Sequence, residues 1–98
     1  MKLIDLRMND GSRHFAVLPE VVPWSVMRDH IATLPDTTVN HYVADGVTEA
    51  WIDFTYRGYK FSVNTQLGEF WFFVSDPCCP EFLLSEVASH CEKLASHV

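Results

Sequence analysis

Cys78 and Cys79 are adjacent between two prolines, and they are the residues of this chain whose types and spacing most directly suggest chemistry. The residue before a proline avoids the α-helical region, so Cys79 is predicted at the N-cap of a helix that Pro80 begins. A thiol near a helix N-terminus has a lowered pKa and therefore a larger nucleophilic fraction. The first hypothesis for this pair is a thiol-dependent enzyme or redox protein.

Neither a metal site nor a disulfide fits the same pair. Cys91 lies twelve residues beyond Cys79, about 18 Å further along the same predicted helix at ~1.5 Å per residue, so it cannot join the two thiols around one ion. A disulfide between neighbours would hold their α-carbons about 3.8 Å apart, below the usual bridging range. No cysteine-enzyme signature accompanies the pair. We therefore expect a turn and a helix start with small packing side chains, and keep the thiol enzyme as an alternative.

The histidines and carboxylates also lack the spacing of a catalytic or metal site. His90 and His97 are seven residues apart, about 10.5 Å along a helix, which is too far to hold one ion. Asp53 is predicted to lie opposite Ser62 on the outward face of a hairpin, with no acid or histidine beside it to shift its pKa. Each of the four glycines is used by a turn, so no phosphate-cradling loop remains. The sequence predicts no catalytic residue, no metal and no cofactor.

The length and composition indicate one folded domain, residues 1–98. Of the 98 residues, 48% are hydrophobic, which at this size is enough for one modest core. The chain contains no apolar run of the ~18 residues that a membrane helix needs, and its first residues lack the apolar region of a signal peptide. Its three cysteines are an odd number, which argues against a disulfide framework. We therefore expect a cytoplasmic protein without membrane contact.

The chain is acidic, with 7 Lys and Arg residues against 13 Asp and Glu residues and a formal net charge of −6. Its basic residues are scattered, whereas affinity for nucleic acid comes largely from clustered cations that neutralise phosphates. This balance argues against nucleic acid as the partner. It favours a basic protein partner, or it serves solubility.

Asp10-Gly11 lies between two alternating apolar runs, which is the strongest short-range signal for a β-hairpin. A two-residue turn at this point pairs Leu6 with Phe15, so that apolar residues meet on one face of the hairpin. The two runs are therefore predicted to be the first two strands.

Asp45-Gly46 repeats this pattern in the middle of the chain. The two-residue turn that it predicts sets His41 opposite Ala50 on the core side, and it therefore sends Tyr42 to the other side of the sheet. His41 is accordingly expected to be a buried or edge histidine with a hydrogen-bond partner.

Two further turns complete four consecutive strands. Arg57-Gly58 sets Phe54 opposite Phe61, and a looser turn over residues 66–69 places Phe72 opposite Val63. These four apolar residues share one face, so the turns and the hydrophobic pattern agree on the register.

Two helices complete the predicted fold. The first begins at Pro23, which fits the first helical position, and its apolar residues recur at three- and four-residue steps until Pro35. The second runs from about Pro80 to Ala95 with an apolar stripe along one side. The order β-β-α-β-β-β-β-α predicts an α+β domain in which two helices pack on an antiparallel meander sheet. The predicted core consists of Phe54, Phe61, Val63 and Phe72, with Trp24, Met27, Ile31, Leu84 and Val87 packed against them.

The segment 70–74 is apolar on both faces of its predicted strand. With Phe72 directed to the core, Trp71 and Phe73 point to the other side of the sheet, because side chains alternate along a strand. Either a helix, the first hairpin or a second subunit covers this second face, or it stays open as a binding surface with a polar rim. We expect partial burial, with the exposed remainder marking the site. The predicted registers assign Tyr42, Trp51, Asn64, Trp71 and Phe73 to this candidate interaction face.

Together these observations favour a small, acidic, non-enzymatic protein that acts by binding, in an adaptor, immunity or chaperone-like role. In size and charge the chain is similar to immunity proteins and secretion chaperones, an analogy at the level of fold. The expected partner is another protein or a second copy of the chain. The alternatives are a thiol enzyme using Cys78 or Cys79, and a protein that stacks the bases of single-stranded nucleic acid on the aromatic face.

Overall fold

The computed structural model of this protein describes residues 2–44 and 50–95. Within these ranges the chain forms six strands and two helices in the predicted order, which confirms the α+β class. No helix in the described ranges is long and apolar enough to cross a membrane. The elements are β1 (Lys2–Arg7), β2 (Arg13–Pro19), α1 (Trp24–Ala32), β3 (Thr37–Ala44), β4 (Ala50–Tyr56), β5 (Tyr59–Gln66), β6 (Glu69–Val74) and α2 (Glu81–Ala95).

The strands form one antiparallel sheet in the order β1-β2-β6-β5-β4-β3. Strands β3 to β6 are a meander in which each strand pairs with the next along the chain. The β1–β2 hairpin is added to this meander through the pairing of β2 with β6. This long-range pairing places β6, the strand that is apolar on both faces, inside the sheet.

The turn between β4 and β5 has the predicted register. Arg57 and Gly58 both have positive φ values, 49° and 84°, as a two-residue turn that matches the twist of a hairpin requires. Phe54 pairs with Phe61 as a result. The same holds between β5 and β6, where Val63 pairs with Phe72 across the next turn.

The first hairpin departs from its predicted register. The main-chain N–H of Met8 donates to the carbonyl of Ser12 at 2.9 Å, and the N–H of Gly11 donates to the carbonyl of Met8 at 3.1 Å. The loop therefore has three residues and a glycine with φ of 90°, which is a bulged turn rather than a two-residue one. The extra residue shifts the pairing by one position. Leu6 consequently lies opposite His14, and the predicted pair of Leu6 with Phe15 is wrong.

The register between β3 and β4 also differs from the prediction. The last described pair is Ala44 with Ala50, so five residues separate the strands where a two-residue turn was predicted. Asp45 and Gly46 themselves lie outside the described residues. Because side chains alternate with a period of two, this shift of three positions exchanges the two faces of β3 relative to β4. His41 therefore pairs with Asp53 and is exposed, and its predicted place on the core side opposite Ala50 is wrong.

Both helices pack on the same face of the sheet, which we call the inner face. The predicted central residues Phe54, Phe61, Val63 and Phe72 are all fully buried there, and the rings of Phe54 and Phe61 stack with their centroids 5.2 Å apart. The helical residues of the predicted core are Met27, Ile31, Leu84 and Val87, which are buried against this face, and Trp24, which is partly buried. The opposite side of the sheet, the outer face, consequently has no helix over it among the described residues.

Candidate interaction surface

Four of the five predicted site residues lie on the outer face. Trp51 pairs with Asn64 and Asn64 pairs with Trp71, which is the predicted row across β4, β5 and β6. Phe73 lies on the same face, opposite Ser62. Their exposure differs with position in the sheet: 46% of Trp51 is exposed, Trp71 and Phe73 are half-buried, and Asn64 is buried.

Tyr42 is the site residue that the structure places elsewhere. It lies opposite Ile52, on the inner face, because of the changed register between β3 and β4. Its ring packs at the margin of the core, and the guanidinium of Arg28 from α1 lies 4.6 Å from its centre. The assignment of Tyr42 to the candidate interaction face is therefore wrong, and on the outer face of β3 stand His41 and Val43, its neighbours along the strand.

The two outer-face indoles are held by carboxylates of their own strands. Nε1 of Trp51 donates to Oδ1 of Asp53 at 2.9 Å, and the hydroxyl of Ser62 donates to the same oxygen at 2.8 Å. Nε1 of Trp71 donates to Oε1 of Glu69 at 3.3 Å. Residues two apart on a strand share a face, so each aromatic residue has its acceptor beside it. The rings are thereby oriented in advance, which reduces the entropy lost when a partner orders them.

His14 is a part of this surface that sequence reasoning missed. The residue is 2% exposed, and its imidazole stacks on both Trp71 and Phe73, with ring centroids 4.8 Å and 4.6 Å away. Burial lowers the pKa of His14, and a backbone hydrogen bond with Ala16 works against that shift. Its Nε2 has no hydrogen-bond partner among the described residues. The half-burial of Trp71 and Phe73 therefore comes from β2 and not from a helix.

No signal in the sequence near His14 could have revealed this contact. It depends on the pairing of β2 with β6, which are far apart along the chain, and on an irregularity in that pairing between His14 and Ala16. Alternation along β2 alone says nothing about which strand lies beside it.

Two neighbouring clefts cross the outer face between the β1–β2 loop and β3. One, of about 290 Å³, lies between Asp10 of that loop and Trp51. The other, of about 520 Å³, lies between His41 and Lys60 and includes Asp53. We call the two clefts together the outer-face trough, because both are lined by Ser62 and Ser75. The other lining side chains of the first cleft are Met8, Ser12, Asn64, Gln66 and Phe73, and those of the second include Asn40 and Thr55.

The two adjacent cysteines differ in environment. Cys78 is exposed, whereas Cys79 is buried. Helix α2 begins at Glu81, so Cys79 lies outside it and is not its N-cap. Burial raises the pKa of the Cys79 thiol to about 11, and the nearby carboxylate of Asp76 adds to this increase. The lowered pKa expected of a reactive thiol at this position is therefore wrong for Cys79.

No group of three or more His, Cys, Asp or Glu side chains with the geometry of a metal site occurs in residues 2–44 and 50–95. Comparison of the chain with protein-family models, with curated proteins and with solved structures finds no match.

Proposed function

We propose that this protein is a non-enzymatic interaction domain that binds a protein partner across the outer-face trough. The main support is Trp51, a large aromatic side chain that is 46% exposed in a concave region with polar residues around it. Tryptophan is enriched among the residues that dominate binding energy at protein interfaces. An exposed indole that its own strand already orients is suited to that role.

Polar groups beside Trp51 support the same role. The side chains of Ser62, Asn64 and Gln66 line the cleft with it. Gln66 donates to Oδ1 of Asn64 at 3.0 Å, so the two amides form a small ordered network at the edge of the trough. Interfaces of moderate size combine such hydrogen-bonding groups with a few aromatic anchors.

The carboxylates in the trough argue against the nucleic-acid alternative. Asp10 and Asp53 both line it, and a phosphate backbone would be repelled by them. They favour instead a basic protein surface, in keeping with the net charge of −6.

We propose a cytoplasmic location because all three cysteines are free thiols, including the exposed Cys78, and free thiols persist in reducing compartments.

An affinity purification from the native host with matched variants tests this proposal. Trp51→Ala removes the anchor, while Phe82→Ala removes an aromatic residue of α2 that is still more exposed and lies away from the outer face. We expect wild type and Phe82→Ala to retain the same partner, and Trp51→Ala to weaken its binding by roughly 30-fold or more, which is the effect of losing an interface tryptophan. Sedimentation of each purified variant shows whether the partner is a second copy of the chain. Equal binding by Trp51→Ala, or loss of binding only with Phe82→Ala, would refute the proposal.

A further inference from the structure

We propose that the outer-face trough accepts an arginine side chain of the partner, with its guanidinium stacked on Trp51 and paired with the carboxylates of Asp10 and Asp53. This inference rests on the proposed function, and it adds the chemistry of the group that the trough recognises.

The aromatic part of this site is the face of the Trp51 indole. Its Nε1–H is already used by Asp53, so the exposed part of the ring offers its π surface rather than a donor. Such a surface attracts cations, and tryptophan is the strongest of the aromatic side chains in this respect. A guanidinium is planar and less strongly hydrated than an ammonium, so it stacks on an indole with less loss of hydration than lysine.

The chain makes the same kind of contact twice within its own fold. The guanidinium of Arg28 lies 4.6 Å from the ring centre of Tyr42, and that of Arg57 lies 5.4 Å from the ring centre of Tyr56. Trp51, the most exposed aromatic ring of the outer face, has no such cation over it in the described residues. A partner's arginine would supply it.

The carboxylates of the trough each have one oxygen engaged and one open. Oδ1 of Asp53 accepts from Trp51 and Ser62, and Oδ1 of Asp10 accepts from the main chain and the hydroxyl of Ser12 at 2.9 Å and 2.6 Å. Oδ2 of each has no hydrogen bond among the described residues. Both carboxylates are thus held in place with an acceptor available, as pairing with a guanidinium requires.

Neither of these carboxylates has an ion-pair partner within the described part of the chain. In contrast, five other carboxylates lie 2.5 to 3.9 Å from an arginine nitrogen, and these are Asp5, Asp29, Asp36, Glu81 and Glu86. Among the described residues that line the trough, Lys60 is the one with a fixed positive charge. Unpaired carboxylates in a concave site, on a chain with a net charge of −6, attract a cationic side chain.

Proton–nitrogen correlation spectra of the full ¹⁵N-labelled chain test the inference directly. The probe is N-acetyl-arginine amide, and N-acetyl-citrulline amide is its uncharged analogue of the same shape. We expect the Trp51 indole signal to shift as the arginine probe is added and to saturate at millimolar concentrations of the probe. The citrulline probe should not shift this signal. The indole signal of Trp24, which lies on the inner face, serves as the internal reference.

Matched charge variants distinguish binding of the arginine probe by the trough carboxylates from attraction by the net charge of the chain. Asp10→Asn removes a trough carboxylate, and we expect it to weaken binding of the arginine probe by about three- to fivefold, the upper part of the range for a solvent-exposed ion pair. Asp29→Asn removes the same charge from α1, and we expect no change in affinity. Equal shifts with citrulline, equal weakening by both variants, or no shift of Trp51 would overturn the arginine inference.

The same variants distinguish failure of the arginine inference from failure of the proposed function. If Trp51→Ala abolishes binding of the protein partner while Asp10→Asn and added salt leave it unchanged, the docking surface stands and the arginine inference fails. If Trp51→Ala leaves the partner bound, the proposed function fails, and with it the inference that rests on it.

Discussion

The imidazole rings of His30 and His90 lie face to face, with their centroids 4.1 Å apart, and each ring reaches the main chain of the other helix. Nε2 of His90 lies 2.8 Å from the carbonyl oxygen of His30, and Nε2 of His30 lies 2.5 Å from the carbonyl oxygen of His90. A carbonyl oxygen can only accept a hydrogen bond, so each Nε2 carries a hydrogen and is the donor. Two reciprocal hydrogen bonds thereby join α1 to α2.

We expect the free energy of unfolding to fall as the pH is lowered from about 7.5 to about 5. Burial lowers the pKa of His90, and the nearby charges of His30 and Lys93 lower it further, against a backbone hydrogen bond with His30. Burial also lowers the pKa of His14. Below the ordinary histidine pKa of about 6.5, the unfolded chain therefore binds more protons than the folded one, and stability is lost as the pH falls. Urea denaturation at several pH values measures this loss.

Substitutions identify which histidine is responsible. His90→Gln keeps an N–H donor for the His30 carbonyl but does not titrate, so its loss of stability over this pH range should be smaller than that of wild type. His41→Gln changes an exposed histidine of β3 and is the matched control substitution. An unchanged pH dependence in both His90→Gln and His14→Phe would contradict the assignment.

We expect removal of Arg13 to destabilise the fold less than removal of the two carboxylates that pair with it. The Arg13 side chain is buried between the carboxylates of Asp5 and Glu81, which are themselves exposed. Arg13→Met leaves two carboxylates that water can solvate, and it should cost less than about 1.5 kcal/mol. The double variant Asp5→Asn with Glu81→Gln leaves a buried guanidinium without a counter-charge and should cost about 3 kcal/mol or more. Chemical denaturation of both gives the order, and the reverse order would contradict this account.

Trp51 and Trp71 should differ in their effect on the stability of the isolated chain. Trp51 is the more exposed of the two, so Trp51→Ala should change the free energy of unfolding by less than about 1 kcal/mol. Trp71 lies on an internal strand and stacks on the buried His14, so Trp71→Ala removes packing and should cost about 2–3 kcal/mol. Thermal melting of the two variants measures the difference. Equal melting temperatures would contradict the packing of Trp71 on His14.

One of the three thiols should react readily in the folded protein. Cys78 is exposed, whereas burial raises the pKa of Cys79 to about 11 and that of Cys91 to about 12. Iodoacetamide at neutral pH should therefore add a single label, and a Cys78→Ser variant should add none until it is unfolded. Mass spectrometry counts the labels. Rapid labelling of Cys79 in the folded chain would return the thiol enzyme to consideration.

The sequence alone was sufficient to predict the strand register where the turn residues favour one geometry. Arg57-Gly58 forms a two-residue turn whose residues both have positive φ, and this turn alone sets the register of β4 against β5. The row from Trp51 through Asn64 to Trp71 follows from it and from the next turn, so these residues could be assigned to one face from the sequence. The class of fold and the centre of the core were predictable for the same reason, because period-two and helical patterns are local properties of the chain.

Tertiary structure decided what lies next to those elements. A third loop residue changed the first hairpin, a longer connection moved Tyr42 to the inner face, and the pairing of β2 with β6 brought His14 against Trp71 and Phe73. The placement of both helices on one face, which leaves Trp51 and the outer-face trough uncovered by a helix in the described residues, also depends on contacts between distant segments. Turn residues and hydrophobic periods specify a strand and its two faces. Which strands lie beside it is decided by the free energy of packing the whole core, and this cannot be predicted from a local sequence pattern.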